Sequence, residues 1–198
     1  MISRASAIVV AGGKSSRLGQ DKRLLRLFSS RTLLEETVLR LSTLTDDVVV
    51  VVSSQSVDLE GLSAKIVQDP VPGAGPLNAL YAGLMAAEHE YAIAVACDMP
   101  FLSTTLLRGL LDLPRDYDAL VPRRSDGTLE TLHAVYRKTC LEAIRRRLDA
   151  GRFKLAALLD DLTVRFVDEP WLRQYDPQAR SFLNVNTPED LENVKDLA

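Results

Sequence analysis

Short apolar runs that alternate with helical patterns constrain this chain more than any other feature. Val48 to Val52 is an unbroken run of valine, and Ala7-Ile8-Val9-Val10 and Tyr91–Cys97 are nearly as apolar. A strand without polar alternation has to be covered on both faces. The strand candidates are Ala5–Val10, Val48–Ser53, Lys65–Gln68, Tyr91–Cys97, Ala119–Pro122, Leu132–Arg137 and Val164–Val167. Helical patterns cover Leu33–Leu44, Leu77–Glu88, Thr104–Leu111, Lys138–Ala150, Phe153–Leu159 and Glu189–Leu197. Strand–helix alternation of this kind predicts an α/β fold, with a mostly parallel central sheet, flanking helices and right-handed crossovers. The last helix has a clear start: Thr187 as N-cap, Pro188 at the first helical position, and Glu189 and Asp190 against the dipole. Gly61 to Ser63 and Pro170 to Arg180 read as surface loops.

Directly after the first strand comes Ala11-Gly12-Gly13-Lys14-Ser15-Ser16-Arg17-Leu18-Gly19-Gln20-Asp21-Lys22. Glycine lets backbone N–H groups approach a ligand closely. Clustered N–H groups with Lys and Arg form a seat for phosphate, so the chain is expected to handle a nucleotide. The loop is neither G-x-x-x-x-G-K-[ST] nor G-x-G-x-x-G. Ser53, where a dinucleotide fold wants an acidic residue after its second strand, argues further against a dehydrogenase.

In open α/β sheets, ligands bind beyond the carboxyl ends of the strands. That rule brings Asp98, in Cys97-Asp98-Met99-Pro100, to the edge of the glycine loop. Its carboxylate either forms a turn or caps the helix beginning near Ser103, or it binds Mg²⁺, which takes one or two carboxylates and completes its shell with phosphate and water. The phosphate loop favours the metal. Asp69, in Gln68-Asp69-Pro70, either forms a turn or faces a ligand beside the second glycine-rich loop, Gly73-Ala74-Gly75-Pro76-Leu77. Asn184 and Asn186 share one face of an extended segment, which suggests recognition of a ligand or phosphate. His89 reads as an exposed residue ending a polar helix, and His133 as a packed or surface histidine; neither has a catalytic setting.

The 198 residues suit one domain, and 46% apolar content is ample for its core. A net charge of −3 gives no reason to expect nucleic-acid binding. Arg145-Arg146-Arg147 reads as a solvated helix face. No run reaches membrane-span length and no signal peptide precedes the first strand, so a membrane partner is not expected. Cys97 and Cys140 lie far apart without metal spacing, as inert thiols of a reducing cytoplasm do.

Taken together, these blocks resemble the molybdenum cofactor guanylyltransferases (the MobA family), within the nucleotidyltransferases of Rossmann-like fold. The matching blocks are Ala11-Gly12-Gly13 with Arg17, Gly19 and Asp21-Lys22; Asp69; Gly75-Pro76-Leu77; Cys97-Asp98-Met99-Pro100; and Asn184-Val185-Asn186-Thr187-Pro188-Glu189-Asp190-Leu191. They span nearly the whole chain in family order. Ala-Gly-Gly, rather than Ala-Ala-Gly, favours the guanylyl branch over its cytidylyl relatives.

The resemblance implies GMP transfer from GTP to the terminal phosphate of molybdenum-molybdopterin, with Mg²⁺ (or Mn²⁺) as cofactor. It implies nucleotide contacts from Val10, Ala11, Gly12, Gly13, Lys22, Ser53, Asp69, Gly75, Pro76, Leu77 and Asp98. Asp98 would bind the metal, Arg17 and Lys22 would serve catalysis with it, and Asn184 and Asn186 would lie near the acceptor. A nucleotide-binding half, about 1–100, would precede an acceptor-binding half, about 101–198. GTP and molybdenum-molybdopterin are the implied partners, with transient contact to cofactor-insertion proteins and a cytoplasmic location. Departures from the family pattern are Asn78, Ala79 and Thr131, with Ser53 where some members carry asparagine. They bear on base and acceptor selectivity, and keep open a CTP-using relative, another phosphorylated acceptor, or a cofactor-delivery protein.

Overall fold

The computed structural model describes residues 5–12, 21–27, 30–53, 59, 61–71 and 75–197, with the backbone alone described at Lys22. One seven-stranded sheet organises the chain, in the order β3-β2-β1-β4-β6-β5-β7. The strands are β1 (Ser6–Val10), β2 (Val48–Val52), β3 (Lys65–Gln68), β4 (Tyr91–Ala96), β5 (Ala119–Arg123), β6 (His133–Arg137) and β7 (Val164–Asp168). The helices are α1 (Leu33–Leu41), α2 (Pro76–Ala86), α3 (Thr104–Asp112), α4 (Cys140–Asp149), α5 (Glu169–Leu172) and α6 (Pro188–Asp196).

β1 pairs in parallel with β2 and β4, and β2 with β3. Every residue of β1 and β2 is buried, as their unbroken apolar sequences require. The sheet separates two cores. Ala7 and Val9 pack with Leu34, Val38, Leu106 and Leu110 on one face, and Ile8 and Val10 pack with Leu77, Leu80, Leu84 and Ile144 on the other. Helix α2 lies very close to β1. A Cβ at Gly83 would stand 2.5 Å from Ile8 Cγ2, so only glycine permits this approach.

β6 departs from the parallel expectation, running antiparallel to both β4 and β5. The physical reason is its connection. Arg124 to Leu132 is too short for a parallel crossover, which needs a dozen or more residues. Two reversals restore direction, so β5 and its parallel neighbour β7 point the same way as β1 and β4. All three C-terminal strands therefore deliver connections to the edge where β1, β2, β3 and β4 end.

Three local expectations need correction. Phe153–Leu159 is not an α-helix; a 3-10 segment occupies Leu155–Asp161. The Pro170–Arg180 loop contains most of α5, started by Pro170 within its first turn, and its end opens a 3-10 turn at Arg180–Phe182. His89 follows the largely apolar α2 and is only a quarter exposed, 4.0 Å from Asp46. The last helix forms as read: Thr187 Oγ1 accepts from Asp190 N–H at 3.1 Å, and Asp190 Oδ2 accepts from the Asn186 and Thr187 N–H groups.

Candidate active site

Three backbone bonds carry the parallel ladders past the strand ends. Ala11 N–H donates to Val51 O at 2.8 Å, Cys97 N–H to Val10 O at 3.2 Å, and Asp69 N–H to Val52 O at 2.7 Å. The first glycine loop, Ser53, Asp69 and Asp98 consequently leave the sheet at one edge. Gly12 passes so near the next strand that a Cβ there would be 3.5 Å from Ser53 Cβ and 3.6 Å from its nitrogen. Val10, Ala11 and Leu77 are buried, so their side chains belong to the core and not to the edge. Gly75 caps α2 with φ 81° and ψ −172°, a conformation open only to glycine, and gives no side-chain cap. The exposed Pro76 lacks an N–H, and the remaining first-turn N–H groups of α2 are suited to an anion.

Asp69 is buried and held. Its Oδ1 accepts from Val71 N–H at 3.0 Å and from the side-chain amide of Asn78. Asn78 is itself buried on α2. It ties the end of β3 to the helix that begins at the second glycine loop. This role was invisible along the chain, where Asn78 stood out only as a departure from the family pattern.

Asp98 sits half-buried beyond β4, and its carbonyl accepts Val185 N–H at 2.9 Å. Helix α3 takes its cap from Ser103, whose Oγ accepts Leu106 N–H at 3.2 Å, so capping that helix is not the role of Asp98. The Val185 bond fastens the asparagine segment alongside Asp98. Val185 is fully buried, in contact with Leu25 and Leu33, while Asn184 and Asn186 stand on its outer side. Asn184 Nδ2 donates to Phe182 O at 3.3 Å. Leu25 follows a 3-10 turn, Lys22–Leu24, and shares its apolar cluster with Val185.

The Asp21 carboxylate, next to Lys22, is engaged by Arg23 through Nε at 2.9 Å and Nη2 at 2.6 Å. That hydrogen-bonded guanidinium holds the Asp21 carboxyl below its usual range. Gly13, Arg17 and the Lys22 side chain lie outside the described residues, as do Gly19 and Gly73. His133 is fully buried in β6 with its ring 4.9 Å from that of Phe182, and neither ring nitrogen has a partner among the described residues. Burial pushes it down to about 4, which leaves it neutral and unsuited to proton transfer. Cys140 is buried, with burial pushing its thiol up to about 12.

No group of three metal-ligating side chains forms among the described residues. Among the described residues the edge offers the hard carboxylate oxygens of Asp98, beside anion-seeking backbone, while the Asp69 carboxylate is engaged by Val71 and Asn78. That combination fits Mg²⁺ shared with a polyphosphate, which needs only one or two carboxylates from the protein.

Residues 7–166 match the model of the MobA-like NTP transferase domain. The chain is 37% identical over 191 residues to the molybdenum cofactor guanylyltransferase of Desulfosudis oleivorans, covering 96% of this chain and 94% of that one. It is 40% identical to the probable molybdenum cofactor guanylyltransferase of Chloroflexus aggregans, over 96% of this chain and 93% of the relative. Molybdopterin-guanine dinucleotide biosynthesis protein A from Archaeoglobus fulgidus superposes with a TM-score of 0.83 at 27% identity, covering 97% of each chain.

Proposed function

The chain belongs to the MobA-like NTP transferase family, and on that premise we propose that it transfers GMP from GTP to the terminal phosphate of molybdenum-molybdopterin, releasing pyrophosphate. The observation that carries this reading is the meeting at one sheet edge of Asp98 with the close Gly12–Ser53 approach, and the bond from Val185 N–H that fastens the asparagine segment to the Asp98 carbonyl. On this reading nucleotide binding belongs to a half of about 1–100 and acceptor binding to a half of about 101–198.

An oxygen of the acceptor phosphate attacks the α-phosphorus of GTP. A new P–O bond forms, the α–β anhydride bond breaks, and pyrophosphate leaves with the electron pair. The attacking oxygen is already anionic, so no general base is needed, and the neutral buried His133 has no part in the step. Catalysis is then alignment plus charge neutralisation. The Gly12 and Gly75 loops hold nucleotide and phosphates through N–H groups. Arg17 and Lys22 neutralise charge on the α-phosphate and the departing pyrophosphate. Asp98, with phosphate oxygens, would hold Mg²⁺, which when bound supplies Lewis-acid charge stabilisation. Asn184 and Asn186 orient the acceptor. A cytoplasmic setting suits the two buried thiols. Among the described residues no helix is long and apolar enough to cross a membrane.

The test is pyrophosphate release with Mg²⁺ and molybdenum-molybdopterin, comparing GTP, CTP, ATP and UTP. Release selective for GTP and abolished in Asp98→Ala is expected. Release with CTP would move the chain to a cytidylyl activity, and near-normal turnover by Asp98→Ala would overturn the role of that carboxylate.

A further inference from the structure

The acceptor of the proposed reaction contains a pterin, whose 2-amino-4-oxopyrimidine edge presents two N–H donors beside one carbonyl acceptor. We propose that Glu130 and Arg124, on the β5–β6 connection, read that edge: the Glu130 carboxylate accepts from ring N3–H and the 2-amino group, and Arg124 Nε donates to the 4-oxo oxygen. The inference rests on the reading of the acceptor given above.

The connection is firmly built and correctly placed. Arg124 N–H donates to Thr128 O at 2.9 Å, Glu130 N–H to Pro122 O at 3.0 Å, and Gly127 makes the turn with φ 85°. Beyond the β4–β6 ladder, Ala96 N–H still reaches Leu132 O at 3.3 Å. Glu130, two residues before Leu132, and Asp98, two residues after Ala96, therefore leave the sheet at the same end.

The two side chains are poorly satisfied by each other. Glu130 is only 12% exposed, yet its carboxylate lies 3.8 Å from Arg124 Nη1, beyond hydrogen-bond distance. It accepts no hydrogen bond from any described residue. Burial pushes its carboxyl above the usual range, although the facing Arg124 opposes this. Arg124 Nε is buried without a partner among the described residues. A buried nitrogen left unpaired in this way is costly and asks for an explanation. A planar ring edge with two donors and one acceptor supplies what both lack. Guanine carries the same edge, but the nucleotide seat lies on β1, β2 and β3, across Asp98 from β6, which assigns this pair to the pterin.

Initial rates of Glu130→Gln against both substrates test the assignment. Charged hydrogen bonds of this kind correspond to an acceptor KM raised roughly 10- to 100-fold, with the KM for GTP and the preference for GTP over ITP (which lacks the 2-amino group) unchanged. Fluorescence titration with 6-hydroxymethylpterin and 6-hydroxymethyllumazine, which has oxygen in place of the 2-amino group, gives a readout without turnover. The wild type should prefer the pterin, and E130Q should lose that preference. An unchanged acceptor KM, or equal binding of the two fragments by the wild type, overturns the proposal. Loss of GTP-over-ITP preference in E130Q would make guanine the occupant and equally overturn it. Failure of the wild type to release pyrophosphate with any nucleotide would refute the reaction, whereas a pterin preference abolished by E130Q would still support the subsite.

Discussion

Replacing Gly83 by alanine sets two effects of opposite sign against each other. In an isolated helix, alanine for glycine gains about 1 kcal/mol. Here the added Cβ would lie 2.5 Å from Ile8 Cγ2 and 3.1 Å from both Cγ1 and Cδ1. Ile8 has little room to yield. It is fully buried, its β-branched χ1 is stiff, and its strand is bonded on both sides, opposite Val49 and Ala94. Overpacking of this kind costs about 1–3 kcal/mol, so the net effect is a destabilisation of about 1 kcal/mol. For a chain of this size that lowers the melting temperature by roughly 2–4 °C. Urea denaturation of a mutant cycle gives the sharper test. Ile8→Ala alone should cost about 2–5 kcal/mol, but it removes all three clashing atoms. In that background Gly83→Ala should change sign and stabilise by about 1 kcal/mol. Stabilisation by G83A in the wild-type protein, or the same sign in both backgrounds, refutes the close-contact argument.

His133 is neutral when folded, with burial pushing it from 6.5 to about 4. The unfolded chain therefore binds more protons between those values, and stability, complete above about pH 6.5, should fall by roughly 3 kcal/mol as pH drops toward 4. His133→Phe should flatten that slope in urea titrations at successive pH values. Asn78→Ala leaves Asp69 Oδ1 with the Val71 N–H alone among the described donors; it should cost about 1–3 kcal/mol in denaturation and raise the KM for GTP more than it lowers kcat. Thr187→Ala removes the α6 cap and should cost about 1 kcal/mol, whereas Thr187→Gly should cost only a few tenths.

The sheet was legible because its central strands are apolar without interruption, and such strands need cover on both faces. The reversal of β6 was not legible in periodicity, since antiparallel and parallel strands share it; the short span from Arg124 to Leu132 was the available signal. Asp98 could be placed by the rule of strand carboxyl ends, and the asparagine segment was marked by its alternation and its family pattern. Their bond, Val185 N–H to the Asp98 carbonyl, links residues far apart in sequence and follows only from the fold. The structural roles of Asn78 and Gly83 were hidden for a related reason: each is explained by one tertiary neighbour, Asp69 or Ile8. The α5 turn was hidden because Pro170 reads as a breaker, although proline is also well suited to a helix's first turn.

The reversed strand also has a kinetic consequence for biosynthesis. The β4 strand, Tyr91-Ala92-Ile93-Ala94-Val95-Ala96, carries no charge, and its second neighbour is β6. On the ribosome, β1 to β4 are complete while β6 is still to be made, roughly 40 residues and on the order of 2–8 s later. During that interval the inner strand of the finished sheet is an outer one, an open row of N–H and C=O groups on an apolar ribbon. Nascent chains that stall before Arg137 would be the ones to stick to each other. Recovery of the protein from cells would then follow elongation speed through this stretch more closely than the equilibrium stability of the finished fold.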